Sequence, residues 1–448
     1  MSVRIAFHQL VAIFVAIGIS AAQNPVKAGP SNQFILTSIE VTGNKHYSRD
    51  QIASITGLRV GQSVSEDGKA VNEEIFRRAA NQVGSTGAFS DVTFRYEYSA
   101  AKGTKFELQV READKFLAAR FDNFVWFSDA ELMDSLKARV ALFDGSLPMS
   151  GTITDQVAKV LQAMLEERNL PGTVAYIPTA RANGGPIEAV TYRVSGVVIH
   201  IKNMDFPGAL AAELPLLLAA AKPLEGQDYS RSMLGVQEQF NFLPIYYSRG
   251  YLKAEFGDSQ ARISQQPDPG VVVVDAIFPV TPNRQYRLAD LQWAGNAAFP
   301  ADKLQPLIHL RPGEPANAVQ LGKDIQAVKR LYGTRGYIAA AVAVSPNFDD
   351  VSSLVHYVLE LREGSQYRMG SFEVQGLDPD TTRAVSAVWK LQRGNAFDTT
   401  YADQQFFPGL AKARVRIPQN LELNINTSLN QADKTVDVNL VFAPKKQR

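Results

Sequence analysis

The sequence predicts an α+β chain built as a tandem run of five small modules, each reading strand, helix, helix, strand, strand. Three observations predict it. An alternating apolar pair closed by Gly or Asn returns at near-constant spacing. Two helix-like stretches follow each return, and a pair of alternating runs closes each unit. The first and last strands of a unit cannot be joined by a tight hairpin. The expected closure is therefore a three-stranded mixed sheet packed under two helices.

The opening strand is the first element. Its instances are Ile39-Glu40-Val41-Thr42-Gly43, Ala119-Arg120-Phe121-Asp122-Asn123, Ile199-His200-Ile201-Lys202-Asn203, Leu291-Gln292-Trp293-Ala294-Gly295 and Phe372-Glu373-Val374-Gln375-Gly376. From Gly43 the steps are 80, 80, 92 and 81 residues. Gly or Asn at the end supplies the left-handed conformation that turns the chain out of the strand.

The helices come next. Ser48 caps a short helix through Ile55 that ends at Gly57, and Pro300 opens one carrying Leu304, Leu307 and Ile308. The second helices carry clearer stripes. Val319 to Tyr332 places Val319, Ile325, Val328, Leu331 and Tyr332 on one face, and Val157 to Arg168 repeats the pattern. Ala70 to Val83 carries a weaker stripe. A glycine before an aromatic or apolar residue closes these helices at Gly87-Ala88-Phe89, Gly250-Tyr251 and Gly336-Tyr337.

Two strands end each unit. Val92, Phe94, Tyr96 and Tyr98 alternate ahead of Lys105 to Val110, and Ala339 to Val344 precedes Leu354 to Leu361. Val271 to Phe278 is apolar almost throughout, as a central strand covered by helices must be. Linkers are short, so an extended, semi-rigid arm is expected.

Composition bounds the rest. The chain has 448 residues, 45% hydrophobic and 20% charged, which is a globular balance. Arg4, the apolar run Leu10 to Ile19 and the small residues Ser20-Ala21-Ala22 read as a secretory signal over residues 1–22. The run falls short of the roughly 20 residues a membrane span needs. With no cysteine, each module must be held by its own core. Lys+Arg number 46 and Asp+Glu 45, and without Arg4 they balance. Such a chain carries no basic footprint for nucleic acid or anionic lipid.

The side chains offer little chemistry. His8, His46, His200, His309 and His356 share no metal-ligand spacing, and no cofactor is expected. Nucleophile and phosphate-loop motifs do not occur, so no enzymatic activity is expected. Asp349-Asp350 reads as a solvated turn. Ala209 to Ala221 reads as a first helix packing on its sheet, and Phe124, Trp126 and Phe127 as anchors of a core or joint. The promising feature is backbone. A small sheet with helices on one face leaves an edge of unpaired N–H and C=O groups, a template for another strand.

The pattern of strand, Gly-Asn, two helices, Gly-aromatic and strand pair resembles the POTRA (polypeptide-transport-associated) domain, or surface-antigen repeat. Such domains form the periplasmic arm of BamA-like and TamA-like outer-membrane assembly proteins. Val41-Thr42-Gly43-Asn44 with Gly87 and Phe89, and Trp293-Ala294-Gly295-Asn296 with Gly336 and Tyr337, carry the resemblance best. Modules are expected at 34–114, 115–196 (divergent), 197–284, 285–365 and 366–444 (shortened). Asp122-Asn123 and Asn169-Leu170-Pro171-Gly172 depart from the pattern in the second. The residues after Phe442 leave no room for barrel strands.

The resemblance implies a periplasmic scaffold, associated with the outer membrane, that binds unfolded or nascent outer-membrane proteins and a separate barrel protein. It implies the strand after Gly-aromatic as the receiving edge, with Val92, Phe94 and Tyr96 in the first module and Ala341, Val342 and Val344 in the fourth. The alternative is an inner-membrane scaffold of division or secretion that retains Leu10 to Ile19 as its anchor. An exported hydrolase is the remaining reading, and no residues can be nominated for it.

Overall fold

The computed structural model describes residues 34–180 and 185–445. The segment read as a signal or anchor lies outside them. Among the described residues no helix is long and apolar enough to cross a membrane. They fall into two compact units. One runs through Arg120 and includes Ser128–Asn169 and Val174–Tyr192, and the other comprises Phe121–Phe127, Leu170–Thr173 and the chain from Arg193.

The first unit opens with β1 (Leu36–Thr42), α1 (Arg49–Ile55), α2 (Glu73–Ser85), β2 (Phe89–Ser99) and β3 (Gly103–Glu112). Ser48 and Gln51 form a reciprocal capping box on α1, and Asn72 caps α2. β1 lies parallel to β3 and β2 antiparallel to it, so the sheet order is β1-β3-β2. Phe76 of α2 stacks on Phe106 of β3 with ring centroids 4.8 Å apart. Both rings are fully buried, which stabilises the module by about 1.5–3 kcal/mol per side chain.

The second sheet departs from expectation. It is built from β4 (Phe116–Phe121), α3 (Asp129–Arg139), β5 (Ser146–Pro148), α4 (Ile153–Glu167), β6 (Thr173–Ala180) and β7 (Ile187–Ser195). Its order is β5-β4-β7-β6, four strands where three were expected. The extra strand has a simple origin. In other modules the loop after the first helix touches the opening strand through one isolated bridge, Ile35 with Ser63, His200 with Asp228, Arg287 with Pro315 and Arg368 with Ala396. Here the same contact extends to three pairs, Phe116 with Pro148, Leu117 with Leu147 and Ala118 with Ser146.

The second unit repeats the plan of the first sheet three times. The first copy comprises β8 (Val198–Asp205), α5 (Leu214–Ala221), α6 (Arg231–Gln237), α7 (Leu243–Tyr247), β9 (Glu255–Phe256), β10 (Gln260–Asp268), β11 (Val271–Ile277) and β12 (Val280–Thr281). A π-turn at Glu238–Phe242 joins α6 to α7. The next copy comprises β13 (Arg287–Ala294), α8 (Ala301–Leu304), α9 (Ala318–Gly333), β14 (Ala341–Asp349) and β15 (Leu354–Arg362). The last comprises β16 (Arg368–Gln375), α10 (Pro379–Val388), α11 (Phe407–Lys412), β17 (Leu421–Asn430) and β18 (Thr435–Pro444). The sheet orders are β10-β11-β8, β13-β15-β14 and β16-β18-β17, each with a parallel outer pair and an antiparallel open edge.

Why the opening strand ends in glycine is visible in four modules. The turn presses its backbone against the last strand. A Cβ on Gly43 would lie 2.1 Å from the Val110 carbonyl oxygen, on Gly295 2.3 Å from that of Leu361, and on Gly376 2.0 Å from that of Phe442. In the third module this role falls to Gly208, 2.2 Å from the Val280 oxygen by the same measure, and not to Asn203. Asn203 lies within β8, where its side chain donates to Asp275 at 3.0 Å. That strand runs past its apolar pair, so the spacing read at Asn203 was five residues early. In the divergent module Asn123 meets the last strand with its side chain. Its amide donates to the Val194 carbonyl at 3.0 Å and accepts from the Val194 N–H at 2.7 Å.

Two further expectations need correction. α5 begins only at Leu214 and buries Leu217 and Ala221, while Leu216 and Leu218 stay 38% and 46% exposed. Asp350 is no idle turn residue: it accepts from Lys253 Nζ at 2.8 Å and from the Tyr286 hydroxyl.

Candidate functional site: the open sheet edges

The feature the fold leaves available to a partner is the unpaired backbone along the outer antiparallel strands. What surrounds each edge decides whether another strand can add.

The first edge is β2. Val92, Phe94 and Tyr96 point to the helical side and are half-buried. The Phe94 ring lies 6.0 Å from Phe106, and Tyr96 lies 5.0 Å from Phe76. These three side chains thus belong to the core margin, and only the strand backbone beside them is open. The opposite face is charged. Arg95 and Lys105 both pair with Glu107, and Lys105 also reaches Glu40 at 2.8 Å. A register break between Phe89 and Asp91 further interrupts this edge.

The edge of the fourth module, β14, is different. It pairs with β15 over nine successive residues without a break. Ala341 is exposed, Val342 half-buried and Val344 37% exposed. Val344, Pro346 and Phe348 form one wall of a groove of about 360 Å³, and Leu321, Gly322 and Ile325 of α9 form the other. Tyr357 lies in its floor, its hydroxyl pushed up to about 12 by burial and so neutral at any physiological pH. Gly322 leaves the helix wall low, since nothing lies within 4 Å of where its Cβ would stand. The apolar lining and adjacent open backbone suit an extended segment with alternate apolar side chains.

The groove is held at its end by a cluster that sequence reasoning overlooked. Lys253 Nζ sits 4.6 Å from the Phe348 ring centroid, and Phe348 packs on Tyr286 at 4.8 Å. Hydrogen bonds from Lys253 and Tyr286 keep the Asp350 carboxyl below its usual range. Beside them lies a joint that occurs twice. The Tyr286 N–H donates to the Gly250 oxygen at 2.7 Å, and Gln285 donates to the Arg249 oxygen at 2.8 Å. The Tyr367 N–H donates to the Gly336 oxygen at 2.8 Å, and Gln366 to the Arg335 oxygen at 2.8 Å. Arg-Gly-Tyr and Gln-Tyr are therefore two halves of one latch. Both halves are in the sequence, but their partnership spans roughly thirty residues and no local rule announces it.

A second missed signal is a glycine series. Gly61, Gly145, Gly226, Gly313 and Gly394 all have positive φ and mark the bridge loop after the first helix. They recur at steps of 84, 81, 87 and 81 residues, more evenly than the opening-strand landmark.

Phe124 and Phe127 are buried, and Trp126 packs against the core that holds Phe206 and Phe242. His46 contacts Asp144, His309 Asp324 and His356 Asp290, at 2.6, 2.7 and 2.7 Å.

Fold and edges together define a tandem array of small mixed sheets packed with helices, each with an outer antiparallel strand open along one side. Residues 286–364 match the family model POTRA, described as surface antigen variable number repeat. The fourth module is thus similar to a POTRA domain, and the sheets β1-β3-β2, β10-β11-β8 and β16-β18-β17 share its strand arrangement.

Among curated proteins, a candidate outer membrane protein assembly factor of Treponema pallidum (strain Nichols) is 28% identical over 177 residues. That match covers 37% of this chain and 20% of the relative, so the chain spans about a fifth of the relative's length. Among solved structures, the POTRA3–5 segment of BamA from Haemophilus influenzae is similar at 19% identity and a TM-score of 0.41. It covers 56% of this chain and 98% of that one. The POTRA1–3 segment of Omp85 from Anabaena is similar at 17% identity and a TM-score of 0.25, covering 55% and 96%.

Proposed function

We propose that this chain is a periplasmic, non-catalytic scaffold in outer-membrane protein assembly, receiving unfolded barrel-type clients as an added strand on β14. The observation that carries the reading is the unbroken, open β14 edge lying beside an apolar groove. Main-chain hydrogen bonds along β14 hold clients of varied sequence, and the groove takes every second side chain. The relative described as an assembly factor supports the pathway, as does the POTRA match that includes β14. A separate barrel protein is the partner through which clients leave the scaffold. β2 offers similar backbone, but its neighbouring charges make it the weaker edge. The modules are proposed as separate folding units with boundaries near 114, 196, 284 and 365.

A fluorescent ten-residue peptide with the alternating pattern of a barrel strand tests this by anisotropy against the exported protein. Binding is expected in the micromolar range or weaker, and Val344→Asp should weaken it about tenfold, equal to roughly 1.4 kcal/mol. Equal binding by the wild type and V344D would remove β14 from the reading.

A further inference from the structure

The edge of the last module lacks every guard that the other edges carry. β2 has Asp91, Arg95, Glu97 and a register break. β6 contains Pro178, β10 contains Pro267 and two register breaks, and β14 carries one proline, Pro346, in an otherwise unbroken edge. β17 (Leu421-Glu422-Leu423-Asn424-Ile425-Asn426-Thr427-Ser428-Leu429-Asn430) has no proline and a single charge, Glu422. It pairs with β18 over ten successive residues without interruption. A long, flat, nearly uncharged edge is what soluble proteins avoid unless something covers it.

Its side chains say what would fit. Leu421, Leu423, Ile425, Thr427 and Leu429 lie opposite alternate residues of β18, among them the buried Val436, Val438, Leu440 and Phe442. That face is the helical side. Leu421 and Leu423 pack on the module's core with Val415 and Ile417. Ile425 and Leu429 are 40% and 53% exposed. The second helix of this module, α11 with its preceding π-turn, spans only Ala402 to Lys412, so the far half of β17 has an uncovered apolar row.

We propose that β17 is a self-association surface: two copies of this chain join antiparallel, edge to edge, about a two-fold axis at Ile425. The two three-stranded sheets become one of six strands. In this register Ile425 faces its own counterpart, Leu423 faces Thr427, and Leu421 faces Leu429. On the other face Asn424 meets Asn426, and Glu422 meets Ser428. Ile425 on its counterpart and Leu421 on Leu429 set apolar on apolar, Leu423 meets the methyl-bearing Thr427, the other face is polar on polar, and no like charges are opposed. A slip of one residue would flip one copy and set its helices on the opposite face of the joint sheet, leaving the apolar row uncovered.

A second copy is favoured over an unrelated strand because a single sequence satisfies both sides of the contact. Such an isologous interface closes and does not propagate. It is small, so the dimer forms and dissociates readily. The surface differs from β14, and client binding there stands or falls separately.

Sedimentation equilibrium of the full exported chain tests it, with wild type, Ile425→Lys, Ile425→Glu and an equal mixture of the two variants. The wild type should dimerise at concentrations on the order of 10–100 μM. Each variant alone places like charges face to face and should dimerise at least tenfold more weakly. The mixture should recover the dimer, with both variants still binding the β14 peptide. A wild type that stays monomeric overturns the proposal. So does an I425K dimer as strong as wild type, or a mixture that fails to recover.

If the charged variants do not fold, Ile425→Cys serves instead. The chain has no other cysteine, and opposed residues of an antiparallel pair lie about 4.5–5.5 Å apart, within disulfide reach. Air oxidation should yield a covalent dimer from I425C and none from Ser90→Cys on β2. Equal yields from both would overturn the proposal.

Discussion

Gly295 and Gly226 both have positive φ, yet they are held by different forces. A Cβ at Gly295 would collide with the Leu361 carbonyl at 2.3 Å, whereas nothing lies within 4 Å of the equivalent atom at Gly226. Gly226→Ala should therefore lose only the left-handed preference, about 1–2 kcal/mol. Gly295→Ala adds a backbone clash and should cost more, about 3 kcal/mol or above. Hydrogen exchange of the amides of β13 and β15 for Gly295→Ala, and of β8 and β11 for Gly226→Ala, resolves the difference, since a global melt of a multi-module chain is not two-state.

The same contact explains a feature that looked like divergence. Asn123 stands in the glycine's place and bonds the Val194 backbone with its side-chain amide, where the glycines of the other modules bring their own backbone close to the last strand. Glu112 shows a related economy. Burial works against its charge, but N–H donors of Lys45, Tyr47 and His46 prevail and hold its carboxyl below the usual range. Residue identity was legible at these points. The partner strand sixty to seventy residues away was not.

At the scale of elements, periodicity located most helices and strands. The stripe from Val319 to Tyr332 became α9, and the apolar run from Val271 became central strand β11. The failures occurred where an element's length is set by packing. β8 continues through Asn203 because β11 extends beside it to Ile277. β5 forms because its loop lies flat along β4 for three pairs. Edge strands were legible as strands, but which edge is open depends on charges and prolines read in three dimensions.

α6 owes its start to a partner more than a hundred residues earlier in the chain. Ser230 caps it by accepting from the Met233 N–H at 3.1 Å, and Asp122 fixes that hydroxyl at 2.9 Å while accepting from the Ser232 N–H at 2.8 Å. Asp122→Ala should destabilise this helix start by about 1–2 kcal/mol. Faster exchange of the Ser232 to Leu234 amides, with α9 unchanged, is the expected signature. The Asp-Asn pair, set down from sequence as a departure from Gly-Asn, thus has work for both members.

For the whole molecule, the α+β class and the recurring order of strand, helices and strand pair could be read from the chain, because each repeat carries its own turn chemistry. The glycine series at Gly61, Gly145, Gly226, Gly313 and Gly394 would have sharpened that reading. The joints were not readable, since Arg-Gly-Tyr and Gln-Tyr acquire meaning only as a pair.

That pairing makes the fourth module an exchangeable cassette between two like joints. Gly250 meets Gln285-Tyr286 as Gly336 meets Gln366-Tyr367. Excising residues 286–366 would set Gln285 directly before Tyr367 and restore the same socket at Gly250. The shortened chain should fold, keep the exchange protection of β11 and β18, and lose the β14 peptide site outright. Lineages that add or drop a whole cassette at this seam would need no new joint, so the count of modules can drift while the hinge chemistry stays fixed.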